Sequence, residues 1–110
     1  RRSDMVIFGG TNIYPAEIEM VLTQCPGVKD CAVFGIPDDD FGESLAAAVE
    51  RMPESQVTPE EIRSYLLERL AKFKVPKRID FHESLPREDS GKIFKRRLRD
   101  PFWQNAGRKI

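Results

Sequence analysis

Three features of this chain point to an α+β domain, a small antiparallel sheet with helices packed on it. Two apolar sets have helical spacing, Ile18-Val21-Leu22-Cys25 and Ile62-Tyr65-Leu66-Leu70, and each is opened by a proline. Short runs rich in strand formers lie between and after them, at 31–36, 44–52 and 78–83. With 110 residues, 40% of them hydrophobic, the chain is long and apolar enough for one domain with a buried core. The expected architecture is about three strands plus an N-terminal β-hairpin, two main helices and a short C-terminal helix.

The elements follow in order. Residues 5–8, "MVIF", run into Gly9-Gly10 and then "TNIYP", which reads as a tight hairpin. Pro15 suits the first turn of a helix, where its missing N–H is not needed, and Pro26-Gly27 ends that helix. "CAVFGI" and the alanine-rich "SLAAAVERM" flank the charged turn "PDDDFGE" and read as an antiparallel pair. "TPEE" at 58–61 supplies Thr58 as N-cap, Pro59 in the first turn and Glu61 for a capping box. That helix runs to about residue 71, before "KFKVPKR" with Pro76 interrupts. "RIDFHE" is a strand, and "IFKRRLR" a short helix with Ile93, Phe94 and Leu98 on its apolar side. Residues 100–110 read as a tail.

Composition narrows the classes. Eighteen Lys and Arg balance eighteen Asp and Glu, so nothing global favours nucleic acid or an anionic membrane. No apolar run approaches the ~20 residues that span a bilayer, and no signal peptide is expected. Cys25 and Cys31 lack metal-ligand spacing, and the single histidine, His82, is far off. They read as reduced core thiols, and no metal site is expected.

Three segments have a functional and a structural reading side by side. The Gly9-Gly10 stretch is a hairpin turn, or a place where backbone must approach a ligand closely. Phe41, among acids in "DDDFGE", is an aromatic folded onto the core, or an exposed platform. In "PREDSGKIFKRRLR", Lys92 is one solvated cation before a basic helix, or a charge held out for an anion. The Gly91-Lys92 pair is not a phosphate-binding P-loop, because the upstream glycine is missing and Ile93 replaces the metal-binding Ser or Thr.

Taken in order, "RRSDMVIFGGTNIYPAEIE", "PGVKDCAVFGIPDDDFGE", "LAKFKVPKRIDF" and "LPREDSGKIFKRRLR" closely resemble the C-terminal domain of adenylate-forming enzymes. That superfamily comprises acyl- and aryl-CoA synthetases, peptide-synthetase adenylation domains and luciferases. The resemblance runs from Arg1 to about Arg99. It implies a mobile lid, inactive alone, whose partner is a large N-terminal domain that binds ATP with magnesium and the carboxylic acid. The implied reaction has two halves: the carboxylate attacks the α-phosphate of ATP, releasing pyrophosphate, and a thiol, usually that of CoA, then displaces AMP.

The resemblance assigns roles by position. Lys92 matches the lysine that serves adenylation, with Gly91 giving its loop freedom. A unit charge pair at ~4 Å and an effective dielectric of 20 is worth about 4 kcal/mol, enough to offset repulsion between two reacting anions. Gly9 and Gly10 match the loop lining the pantetheine tunnel, with Glu17 in support. Phe41, Phe73, Lys74 and Lys77, with Lys72, resemble the region near the nucleotide end of CoA. Arg1 matches an arginine that reaches the nucleotide. Ser3 stands where the family has Asp or Lys as hinge, so the pivot is Ser3 or Asp4, within residues 1–4. Pro86 followed by Gly91-Lys92 matches the pattern around lysines that protein acetyltransferases modify. A cytoplasmic acyl- or aryl-CoA ligase, most like the fatty-acid-CoA ligase type, is the implied whole. A lid serving a carrier-protein thiol, and a free-standing basic binding module, are the competing readings.

Overall fold

A computed structural model describes residues 4–108, with side chains as far as Gln104. The chain order is β1 (Val6–Phe8), β2 (Thr11–Ile13), α1 (Pro15–Leu22), β3 (Val28–Asp38), β4 (Gly42–Arg51), α2 (Pro59–Leu67), β5 (Arg78–His82) and α3 (Lys95–Arg108), with a 3-10 turn at Lys72–Lys74 before β5. The α+β class expected from the sequence is the observed one.

The middle of the sheet is β4, and its composition explains the layering. Every residue from Ser44 to Glu50 is buried, so the strand lacks the alternation of a half-exposed strand. Leu45, Ala47 and Val49 join Ile18 and Leu22 of α1 and Ile62 and Leu66 of α2 in one core. Ala46 and Ala48 point the other way, into a second core with Phe34 and Leu85, packed by Leu98 and Phe102 of α3. Small side chains on both faces of β4 let helices approach from both sides. Burying each large aliphatic contributes about 1.5–3 kcal/mol, so the first core, with its fully buried Ile13, Ile18, Leu22, Ile62 and Leu66, dominates stability.

Along one edge β4 pairs antiparallel with β3 over its whole length, from Asp38↔Gly42 to Val28↔Arg51. The other edge is shared. β1 meets it at Phe8↔Gly42, and β5 pairs with Ala46–Glu50. The β5 pairing is parallel, so the sheet is antiparallel except at this strand. Parallel neighbours need a long crossover, and α2 supplies it between β4 and β5. The stretch of β4 between β1 and β5 leaves a notch in the sheet edge.

Helix ends agree with their sequence signals, with two differences. The capping box forms: Glu61 N–H donates to Thr58 Oγ1 (3.1 Å) and Thr58 N–H to Glu61 Oε1 (2.9 Å). The helix stops at Leu67, a turn earlier than expected, with Glu68 as C-cap. At the C-terminus, Ile93 pairs with Arg87 in a β-bridge and the helix starts only at Lys95. It then passes through Pro101 to Arg108, so the expected tail is helical as far as it is described. Packing overrides the proline. Phe102 lies against Phe34 (ring centroids 6.0 Å apart), and the Trp103 indole N–H donates to the Gly35 carbonyl at 2.9 Å. No helix among the described residues is long and apolar enough to cross a membrane.

Candidate functional site

The residues singled out from the sequence gather on two faces. The first is a hairpin that carries Lys92. Leu85, buried, leads into it, with its N–H donating to the carboxylate of buried Glu50 at 3.2 Å. Glu50 in turn pairs with Lys29 at 3.3 Å. The strands close through Phe94 N–H to the Pro86 carbonyl and Glu88 N–H to the Lys92 carbonyl, both 2.8 Å. Gly91 has φ +94°, a value L side chains resist, which lets the turn close immediately before Lys92. Ile93 packs into the second core while Lys92, its neighbour, is exposed, and its ammonium has no hydrogen-bond or ion-pair partner among the described residues. Strand alternation thus seats the hairpin and presents the ammonium outward.

Of the cations that follow, Lys95 is drawn in, its Nζ 2.8 Å from Glu19 and 3.3 Å from Asp4, and Arg99 is half-buried with Nη2 3.6 Å from Asp100. Arg96 and Arg97 are exposed beside the Phe94 ring. Asp4 is therefore tied to α3. Arg1 and Ser3, expected at the nucleotide and the pivot, lie outside the described residues.

The second face combines the β1–β2 turn with the notch in the sheet edge. Gly9 and Gly10 have φ +55° and +88°, both positive as the two-residue turn joining Phe8↔Thr11 requires. The Phe8 and Phe41 rings stack at 4.4 Å, and Gly9 N–H donates to the Phe41 carbonyl at 2.9 Å. Asp38 shapes the turn that delivers Phe41, accepting from the N–H groups of Asp40 (2.9 Å) and Phe41 (3.0 Å). Its other oxygen takes the Lys77 ammonium at 3.1 Å. That bond, with the two N–H groups, holds the Asp38 carboxyl below the usual carboxylate range.

A cavity of about 550 Å³ opens here, walled by Phe8, Phe41, Phe73, Leu45 and Val75 with Lys72 and Lys77 at its margin. Three segments distant in sequence line it, which brings Phe41, Phe73 and Lys77 together. Lys74 is engaged elsewhere, its Nζ lying 3.0 and 3.1 Å from the two carboxylate oxygens of Glu17. Lys72, by contrast, has no ion-pair partner among the described residues. Lys92 does not line this cavity.

Cys25 and Cys31 are free and buried. Burial, with Glu19 and Asp30 adding to it, pushes the Cys31 thiol up to about 12, and burial also raises Cys25. Neither thiol is a nucleophile at neutral pH. Among the described residues no group of three or more His, Cys, Asp or Glu could hold a metal ion.

The sequence reading missed Glu19, Asp30, Glu50 and Arg87, which fix the Lys92 hairpin. Each is an ordinary surface charge by type, and the partners are tens of residues away. The second glutamate of "AEIE", two positions after Glu17, was the one available signal.

The family model described as AMP-binding enzyme C-terminal domain matches residues 17–92. A fatty acid–[acyl-carrier-protein] ligase, ScoC of Streptomyces coeruleorubidus, is 44% identical over the whole chain, which covers 21% of that protein. The long-chain-fatty-acid–CoA ligase FadD13 of Mycobacterium tuberculosis is 45% identical over 93% of the chain, covering 20% of its own length. ATP-bound MatB from Rhodopseudomonas palustris superposes with a TM-score of 0.88 at 41% identity, over 93% of this chain and 20% of that one. The chain thus spans about a fifth of the length of the relatives it matches. By the family model and by these identities, the chain belongs to the AMP-binding enzyme C-terminal domain family.

Proposed function

We propose that this domain is the mobile lid of an ATP-dependent, AMP-forming acyl- or aryl-CoA ligase of the cytoplasm, acting in fatty-acid metabolism. The carrying observation is Lys92, exposed, its ammonium unpartnered among the described residues, at the tip of a hairpin whose base is built into the core. An ammonium in that position has no structural task in the domain and suits an anion supplied from outside it. In the first half-reaction the acid's carboxylate oxygen bonds to the α-phosphorus of ATP and pyrophosphate leaves. Lys92 offsets the repulsion between the two anions and the charge that develops on phosphorus. ATP, magnesium and the acid belong to a large N-terminal domain.

In the second half-reaction the lid turns about the segment at Ser3 and Asp4 and offers its other face. Arg1, just before that pivot, reaches the nucleotide. The side-chain-free Gly9-Gly10 turn borders the pantetheine arm, and the neighbouring cavity takes the nucleotide end of CoA. Phe41 and Phe73 supply ring faces there, and Lys72 and Lys77 the phosphate contacts. Lys74 contributes through Glu17, by fixing the wall. The CoA sulfur then bonds to the acyl carbon as AMP departs. Acetylation of Lys92 by a protein acetyltransferase would remove the charge that adenylation uses and so switch the enzyme off.

The test is Lys92→Ala in the full-length enzyme, with the two halves assayed apart. ATP–pyrophosphate exchange should fall roughly 10²–10³-fold, the scale of a lost transition-state donor. Thioester formation from synthetic acyl-adenylate and CoA should change little. Unimpaired exchange would refute the assignment. A carrier-protein acceptor is the second reading, favoured by the match to ScoC over the whole of this chain. Offering CoA and a carrier protein in parallel decides between the acceptors.

A further inference from the structure

Lys92 is held out from the domain, and two other cations hold its hairpin in. On the outgoing strand, Arg87 donates from Nη1 to the Gly91 carbonyl (3.0 Å) and from Nη2 to Asp30 on β3 (2.6 Å). The Gly91 carbonyl belongs to the peptide unit that enters Lys92, so one guanidinium ties that peptide to the sheet. Just after the return strand, Lys95 Nζ meets Glu19 on α1 and Asp4 on the segment leading to β1. The receiving carboxylates are themselves pinned by main chain. Asp30 Oδ1 accepts from Cys31 N–H at 2.9 Å, and Glu19 Oε2 from Val33 N–H at 2.8 Å. Both clamps therefore end on fixed points of β3.

Exposed ion pairs contribute little to folding, and Arg87 and Lys95 retain 42% and 23% side-chain exposure. Their value lies in orientation. A lysine at the tip of a short hairpin has a long flexible stem, and misplacing its root by 1 Å costs on the order of 100-fold in rate. We propose that Arg87 and Lys95 are positioning residues that clamp the Lys92 hairpin to β3 and α1 for adenylation. The proposal rests on Lys92 being the adenylation lysine.

The experiment uses the full-length enzyme, with the acid chosen from a panel of fatty and aryl acids as the one giving the fastest exchange. Arg87→Met and Lys95→Met are compared with Asp30→Asn and Glu19→Gln, which remove the charge but keep an oxygen for the main-chain N–H. Each should slow ATP–pyrophosphate exchange by about 10- to 100-fold, through kcat, with KM for ATP and acid nearly unchanged. Thioester formation from acyl-adenylate should stay within about twofold, and Lys95→Arg should restore most of the exchange. In a Lys92→Ala background Arg87→Met should add nothing, because the residues act as a unit. Unchanged exchange, equal loss in both half-reactions, or effects that multiply with Lys92→Ala would each overturn the clamp. If the methionine variants do not fold, the amide variants decide. If Lys92→Ala itself exchanges normally, the parent reading has failed, an outcome distinct from normal exchange in the clamp variants beside a slow Lys92→Ala.

Discussion

Replacing Gly9 and Gly10 one at a time separates the backbone demand of the β1–β2 turn from the packing laid over it. Both residues have positive φ, and an alanine forced there costs about 1–2 kcal/mol. At Gly10 no atom lies within 4 Å of where a Cβ would stand, so the backbone term is the whole cost. At Gly9 the Cβ would stand 3.1 Å from Cδ1 of Phe41, whose ring is stacked on Phe8. Phe41 must shift and lose part of a contact worth about 0.5–1.5 kcal/mol. Gly9→Ala should then cost roughly 2–3 kcal/mol in all. Gly9→Asn should cost only the packing part, because asparagine accepts this turn conformation. Urea unfolding of the 110-residue chain measures the series. At roughly 4–8 °C per kcal/mol for a domain near this size, thermal melts will resolve it too. If Gly9→Ala is no worse than Gly10→Ala, or if their gap persists once Phe41 is alanine, the reasoning is wrong.

Two more outcomes follow from the same contacts. Thr58→Ala removes one half of the capping box and should cost about 0.5–2 kcal/mol in the same assay, with no effect if α2 is held by packing alone. Lys77→Met tests the ion pair with Asp38 through pH. A carboxyl held below its unfolded value of about 3.9 contributes stability that is present above that value and lost as pH falls through the folded one. The variant should therefore lose stability at neutral pH and progressively less on acidification, whereas an equal loss at both ends would contradict the pairing.

What was legible in the sequence was what local chemistry decides. Thr58, Pro59 and Glu61 announce α2 because capping needs only three neighbouring residues. Gly9-Gly10 announces its turn for the same reason. The parallel addition of β5 was not legible, because it depends on α2 folding back over one face of the sheet, and periodicity carries no strand direction. The C-terminal helix runs past the expected end at Arg99 because tertiary packing of Phe102 and Trp103 outweighs Pro101, a local breaker. At the candidate site, Lys92 was found from its motif, while Arg87 and the carboxylates that hold its hairpin were not. Arg87 and Asp30 are 57 residues apart, and nothing local marks either. Lys74 and Lys77 looked alike in "KFKVPK", yet one is taken by Glu17 and the other by Asp38 at the cavity margin.

The two faces share one rigid element. Glu17 and Glu19 stand two residues apart on α1, about 200° around its axis, so their carboxylates leave opposite sides of the helix. Glu17 takes Lys74 beside the cavity, and Glu19 takes Lys95 beside the Lys92 hairpin. Between them Ile18 is fully buried, and Leu22 one turn on is too, which seats the helix in the main core. Moving one face relative to the other would mean unseating that stripe or breaking an ion pair that a main-chain N–H helps to hold. Both cost more than changing a few torsions in a single connecting segment. On the proposed reading, the half-reactions therefore differ in how the domain is turned and not in how it is folded. On that reading Asp4, bound to Lys95 and continuous with β1 through Met5, would hand a turn of the chain to both faces at once.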